Sequence, residues 1–246
     1  MWNRVIHFCQ IQWFIFKQLL WKIGFPVFVI WYIFCLPEQL FSDSTSTVLL
    51  DRNGYLLGAK IANDGQWRFP EKMEVPTKFE RCLVLFEDQN FATHIGISAK
   101  GIGRALIQNF QNDKIVSGGS TITMQLARIM RKNRPRTYRE KIIEMILATR
   151  IELRYSKAEI LGLYASHAPF GSNVVGLETA SWRFFGRSAD KLSWAESATL
   201  AVLPNAPGLI YPGKNHVLLE KKRNRLLRKL YDEKIIDAIT FQLAIS

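Results

Sequence analysis

The stretch Glu87-Asp-Gln-Asn-Phe-Ala-Thr-His-Ile-Gly96 sets two carboxylates, an aromatic ring and a histidine directly behind the apolar run Cys82 to Phe86. So abrupt a change from core composition to chemically active side chains is expected at the edge of an active site. In a cleft with apolar walls, burial disfavours the charged form of Glu87 and moves its pKa toward neutrality, where a carboxyl serves as general base or acid. An ordinary solvated turn is the alternative, because acidic pairs and single histidines are common at helix ends. What surrounds the segment decides between the two.

Working outward, Phe79, Leu83 and Phe86 fall at i, i+4 and i+7, and Ile102, Leu106 and Phe110 recur at the same period, so a core-facing helix is expected on each side. Ser156-Lys-Ala-Glu159 and Ser193-Trp-Ala-Glu196 fit the capping box and start further helices; Gly186 and Pro204 stop helices. Val217 to Leu230 reads as a basic amphipathic helix. Nearer the N-terminus, Thr47 to Asp51 and Tyr55 to Ala62 flank Arg52-Asn53-Gly54 as a hairpin, and Gln66 to Phe69 adds to a small β element. The fold class is therefore mainly α, with that small N-terminal β element.

Downstream, Gly118-Gly119-Ser120-Thr121 opens a helical pattern with Ile122, Leu126, Ile129 and Met130 on one face and Thr121, Gln125 and Arg128 on the other. A glycine-flanked helix start with a hydroxyl cap suits an anion such as phosphate, and a plain amphipathic helix is the alternative. Arg128, Arg131, Lys132, Arg134, Arg136, Arg139 and Lys141 then crowd a loop-like segment around Pro135, opposed only by Glu140. Such density beside a phosphate-type turn points to a multiply charged leaving group such as pyrophosphate. Glu144 shares a helix side with Glu140 and Ala148 and is a candidate second inward carboxylate. Two separated carboxylates beside a cationic site suit glycosyl chemistry, one activating a hydroxyl or water and the other positioning charge or a metal.

Composition agrees with a folded enzyme: 246 residues, 48% apolar, are enough for one good-sized domain with an appendage and exclude a disordered chain. A formal charge of +12 predicts an anionic partner. Ile23 to Leu36 is unbroken and apolar; extended to Leu19, with Lys22 snorkelling, it approaches the roughly 20 residues that span a bilayer. Arg4, Lys17 and Lys22 precede this run while Glu38, Asp43 and Asp51 follow it. The expected layout is thus a cytoplasmic N-terminus over 1–18, one transmembrane helix over 19–36, a linker and β element over 37–75, and an extracytoplasmic domain over 76–246. That makes a single-pass protein of the plasma (inner) membrane. A cleaved signal peptide is the competing reading, but no small-x-small site follows Cys35. Cys9, Cys35 and Cys82 form no disulfide framework or metal spacing, and no nucleic-acid signature appears.

Taken together, these segments resemble the peptidoglycan glycosyltransferases of glycosyltransferase family 51, found as monofunctional transglycosylases and as the N-terminal half of class A penicillin-binding proteins. The first family motif, E-D-x-x-F-x-x-H-x-G, is met by Glu87, Asp88, Phe91, His94 and Gly96; the second, G-G-S-T-x-T-x-Q, runs from Gly118 to Gln125. The third, K-x-x-E-x-x-x-A, is met by Lys141, Glu144 and Ala148, and the fourth, K-x-x-I-L-x-x-Y, by Lys157, Ile160, Leu161 and Tyr164. Ala168-Pro-Phe-Gly171, Ser181-Trp182, Phe184-Phe185-Gly186, Leu203-Pro-Asn-Ala-Pro207 and Arg223 to Leu227 complete the order, and the likeness is greatest to the C-type proteins.

The resemblance implies a lysozyme-like fold and polymerisation of lipid II into glycan strands, with release of polyprenyl pyrophosphate and inversion at the anomeric carbon. It implies Glu87 as the base that deprotonates the acceptor 4-hydroxyl, with Phe91 and His94 shaping the cleft and Asp88 beside them. Glu144, Arg128, Lys141, Gly119, Ser120, Thr121 and Gln125 are expected to hold the donor pyrophosphate, with a divalent cation (Mg or Mn) as candidate cofactor and Glu144 as its candidate ligand. Membrane lipids and other cell-wall synthesis proteins are the further partners. No room is left for a transpeptidase domain, so a monofunctional protein or a truncated C-type one is expected. A non-catalytic lipid II-binding scaffold, suggested by Glu140 and Ser166, and a lysozyme-like glycan hydrolase are the alternatives.

Overall fold

The computed structural model describes Trp13, Gln18 and residues 20–111, 119–135 and 137–246. Cys9, Leu19, Gly118, Arg136 and the expected cytoplasmic segment other than Trp13 and Gln18 lie outside the described residues, as do the side chains of Leu106 and Phe110. The chain divides into two units, Met1–Leu40 and Phe41–Ser246.

The first unit departs from the continuous helix expected over 19–36. Leu20–Gly24 wind as a π-helix that passes into α1, Phe25–Phe34. Pro26 accounts for the change, since it has no N–H to donate and its ring pushes back the Lys22 carbonyl, so the preceding turn widens. None of the residues of α1 is buried, and Phe25, Phe28, Trp31 and Phe34 are exposed. No helix among the described residues is long and apolar enough to cross a membrane.

The second unit begins with the expected hairpin. Strands β1, Thr47–Leu50, and β2, Leu56–Lys60, pair antiparallel, and Asp51 Oδ1 closes the turn by accepting from Asn53 N and Tyr55 N, each at 2.8 Å. Gln66 to Phe69 bonds locally, through Ser46 and Ala62, and also reaches a distant partner. Only Trp67–Arg68 forms a strand, β3, and it pairs in parallel with a strand more than a hundred residues downstream. That strand is β5, Val174–Val175, which also pairs antiparallel with β4, Pro169–Gly171. Phe69 N donates to Thr179 Oγ1 at 2.9 Å, so this segment is stitched into the helical domain.

Helices form the rest. Pro76 sets an extended φ,ψ pair just before α2, Thr77–Glu87, which buries Phe79, Cys82, Leu83 and Leu85; Phe86 is only half-buried. After α3, Ala99–Gln111, come α4, Ile122–Met130, and α5, Tyr138–Arg154, capped by the side chains of Thr121 and Thr137. Ser156 and Ser193 make full capping boxes with Glu159 and Glu196, starting α6, Lys157–His167, and α8, Trp194–Val202. Between them α7, Leu177–Phe185, ends on Gly186 in the left-handed conformation. The basic segment is α9, His216–Asp232, burying Leu219, Leu226, Leu227 and Leu230, and α10, Ala238–Ile245, packs on it.

In the core, α2 packs against α8 and α9, while α4 packs against α5 and α6. Phe79, Leu83, Ile122, Met124, Ile151, Ile160 and Phe170 are fully buried. Each such side chain contributes about 1.5–3 kcal/mol. These contacts set the end of α2, where Glu87 sits, beside α4.

One backbone position fixes that junction. Gly96 has φ +89°, and a Cβ there would lie 2.6 Å from the Ala148 carbonyl oxygen on α5. Gly96→Ala is expected to cost about 1–3 kcal/mol, lowering the thermal midpoint by ~5 °C; an unchanged melting curve would mean that the loop can back away from α5.

Candidate active site

The start of α4 is already occupied by the protein itself. Ile122 N donates to Asp88 Oδ2 at 3.1 Å, and the Thr121 hydroxyl accepts from Met124 N at 3.1 Å while donating to Gly96 O at 2.7 Å. Asp88 thus supplies the negative charge that a helix N-terminus attracts. The same Oδ2 lies 2.9 Å from His94 Nε2, and His94 Nδ1 accepts from Gly96 N at 3.0 Å, which turns the Nε2 proton toward Asp88. The first N–H of the helix and the Thr121 hydroxyl are therefore engaged within the protein. Asp88, His94 and Thr121 form a buried clamp between the loop and α4. Phe91 belongs with it, buried and edge-on to His94 with ring centroids 6.1 Å apart. Gly119 allows close packing, since a Cβ there would meet Ile102 Cα on α3 at 2.8 Å.

Past this clamp, α4 presents Gln125 and Arg128, at i and i+3, to the two carboxylates singled out in the sequence. Gln125 Nε2 donates to Glu87 Oε2 at 2.7 Å. Arg128 spans Glu144, with Nε 2.7 Å from Oε1 and Nη2 2.9 Å from Oε2. Gln125 is thus joined to the Glu87 side of this face. Glu87 Oε1 is buried and has no hydrogen-bond partner among the described residues. Burial pushes the Glu87 carboxyl above the usual carboxylate range; the neighbouring Asp88 charge adds to this, and Gln125, Asn205 and Lys222 oppose it. A carboxylate with Oε2 pinned by Gln125, the Asn205 side chain close by, and Oε1 without a hydrogen-bond partner among the described residues is arranged to accept a proton.

Glu144 is buried, unlike most helical glutamates. Lys141 Nζ lies 3.8 Å from its Oε2 and donates a short hydrogen bond to Ser120 Oγ. Arg128, Lys141 and Ser120 therefore form one cationic, donor-rich group around a single carboxylate, suited to a phosphate group. The wider basic run disperses. Arg131 forks onto Glu140 with contacts of 2.8–3.0 Å, and Lys132, Arg134 and Arg139 are exposed. As a metal ligand Glu144 does not fit, because a guanidinium and an ammonium already face both its oxygens. No group of three or more His, Cys, Asp or Glu side chains among the described residues converges to hold a metal ion.

Several contributors escaped the sequence reading of the site. Tyr164, seen there only as a motif position, is fully buried and donates its hydroxyl to Gln125 Oε1 at 3.0 Å. Lys157 holds the loop from below, 2.7 Å from His94 O and from Glu152 Oε2, and 4.5 Å from the Phe91 ring centre. Spacing offered a signal for both, since Lys157 and Tyr164 lie seven residues apart on one face of α6. Asn205 and Lys222, bonded at 3.1 Å, reach Glu87 from separate elements and carry no local signal. Ser166 is engaged elsewhere, through Lys72 N at 3.2 Å and Lys72 O at 3.1 Å. The tetrad Ser188-Ala-Asp-Lys191 has the Ser-x-x-Lys spacing of penicillin-reactive nucleophiles. It is a surface 3-10 turn in which Lys191 Nζ sits 3.4 Å from Asp190 Oδ2.

A carboxyl with a buried oxygen and a cationic group around Glu144 thus lie side by side on a helical frame, and comparison with known proteins gives the family. The sequence profile described as Transglycosylase matches residues 57–231, and the chain belongs to this family of peptidoglycan glycosyltransferases. It is 36% identical over 195 residues to penicillin-binding protein 1C of Escherichia coli, covering 79% of this chain and 25% of that protein. It is 34% identical over 229 residues to penicillin-binding protein 1A of Aquifex aeolicus, covering 91% of this chain and 31% of that protein. The chain thus spans a quarter to a third of the length of these curated relatives. A solved structure, penicillin-binding protein 1A of Haemophilus influenzae, aligns with a TM-score of 0.44 at 19% identity over 84% of this chain and 21% of that one.

The raised pKa of Glu87 has a consequence for stability. A carboxyl that ionises less readily when folded imposes a penalty that is complete above its folded pKa and absent below its unfolded one. Glu87→Gln, which keeps an acceptor for Gln125, is therefore expected to raise the thermal midpoint at pH 8 and to leave it unchanged near pH 4. Equal shifts at both pH values would contradict the burial argument.

Proposed function

We propose that this protein polymerises lipid II, joining disaccharide units into glycan strands with loss of polyprenyl pyrophosphate. The observation that carries this reading is the buried, unbonded Oε1 of Glu87. Glu87 removes the proton from the acceptor 4-hydroxyl as that oxygen attacks the anomeric carbon of the donor. The pyrophosphate leaves into the group formed by Arg128, Lys141 and Ser120, where fixed donors and cations stabilise the departing charge. Arg128 and Lys141 already compensate the charge of Glu144, so the cations of this group are the protein's own.

The N-terminal run is the membrane attachment in this reading. The exposed aromatic and aliphatic side chains of α1 favour lipid around them, and the basic residues ahead of the run favour a cytoplasmic N-terminus with the catalytic unit outside. A glycan hydrolase is less well supported. Its chemistry needs a second carboxyl free to act as acid or base, and Glu144 is tied at both oxygens. The two features that suggested an inactive scaffold are accounted for as well, Glu140 by Arg131 and Ser166 by Lys72.

Incubation of the full-length chain with lipid II in detergent or vesicles is expected to yield glycan polymer, and Glu87→Gln to reduce the rate by roughly a thousandfold. A Glu87→Gln variant with the parent's rate would remove Glu87 from the role of base. Lipid II bound at equilibrium without any polymer would return the scaffold to first place.

A further inference from the structure

We propose that Tyr164 is a positioning residue for the general base: its phenol fixes the amide of Gln125 so that the Gln125 amino group pins Glu87 Oε2, leaving Oε1 as the atom that takes the acceptor proton. This rests on the assignment of Glu87 as base and adds which oxygen works and what selects it.

The geometry determines the direction of each hydrogen bond. An ionised Glu87 only accepts, so the Gln125 atom 2.7 Å from Oε2 is the nitrogen. The Gln125 carbonyl oxygen must then face the other way, and it meets Tyr164 Oη at 3.0 Å. Because an amide oxygen only accepts, the phenol donates. Tyr164 is fully buried, and burial together with the Glu87 charge holds its hydroxyl well above the usual phenol range, so the donor stays protonated. With Phe at this position the buried amide oxygen loses its partner, and rotated amide orientations that no longer donate to Glu87 compete.

The groups facing Glu87 come from five elements: Asp88 at the end of its own helix, Gln125 on α4, Tyr164 on α6, Asn205 after α8 and Lys222 on α9. Asp88 opposes ionisation, and Gln125, Asn205 and Lys222 favour it. Loss of the Gln125 donation alone must therefore move Glu87 further upward. The same loss unlocks the carboxyl torsion, so that either oxygen can face the acceptor.

The test is a 13C-NMR titration of the Glu87 carboxyl in the detergent-solubilised full chain, run beside the pH profile of polymerisation. Tyr164→Phe is expected to raise the Glu87 midpoint by about one unit, a tenfold loss of ionised base on the acid side. The acid limb of kcat should shift by the same amount with KM unchanged. Gln125→Met should give the same shift, and the double variant no more than either single one, because the two act as one chain. A Glu87 titration unmoved in Tyr164→Phe, or an additive shift in the double variant, would overturn the proposal. Since Gln125→Met leaves the phenol in place, it supplies the reference even if Tyr164→Phe does not fold. A titration that moves while the acid limb stays put supports the positioning role and counts instead against Glu87 as base.

Discussion

The contact on which the site depends is the buried carboxylate of Asp88 at the start of α4. A single oxygen takes the first free N–H of that helix and the ring of His94, and hydrogen bonds to a charged group contribute about 1.5–3 kcal/mol each. Because Asp88 directly follows Glu87 at the end of α2, this contact registers one helix against the other. Glu87 and Gln125 then meet without either having to search for its partner. His94, Gly96 and Thr121 extend the clamp to α5 through the close approach at Ala148.

From that registration follows a division of labour along one helix face. Gln125 and Arg128 are one helical step of about 4.5 Å apart, and each is given a different carboxylate. Glu87 meets a neutral amide and keeps one oxygen free, so burial dominates its electrostatics. Glu144 meets a guanidinium and an ammonium and becomes part of a cationic group. Two glutamates of the same chemical type thereby become different instruments. The contrast between them comes from their neighbours, as expected when environment alone assigns acid, base and electrostatic roles.

How much of this was legible depends on the range of the interactions. The capping boxes at Ser156 and Ser193, the hairpin turn at Asp51 to Tyr55, and the basic helix with its leucine stripe are local patterns, and the structure contains all of them. The failures involve distance or competition. Gln66 to Phe69 looked like part of a local sheet; it does bond to Ser46 and Ala62 nearby, but its strand partner lies beyond residue 170. The run up to Leu36 is helical from Leu20 to Phe34, with a π-helical first turn ahead of Pro26 that periodicity does not signal. Thr121 and its neighbours had the local properties of a phosphate cradle, yet the carboxylate of Asp88, 34 residues before Ile122, reaches the first N–H of the helix.

The sequence by itself determined the local elements and the order of the motifs, because helix periodicity, capping and residue chemistry are written in neighbouring positions. Tertiary structure alone decided which oxygen of Glu87 Gln125 takes, that Tyr164 stands behind that amide, and that Lys222 and Asn205 complete the surroundings of the carboxyl. Those choices turn on distances of about 3 Å between residues far apart in the chain. A linear pattern does not encode which of several competent donors reaches a carboxylate first.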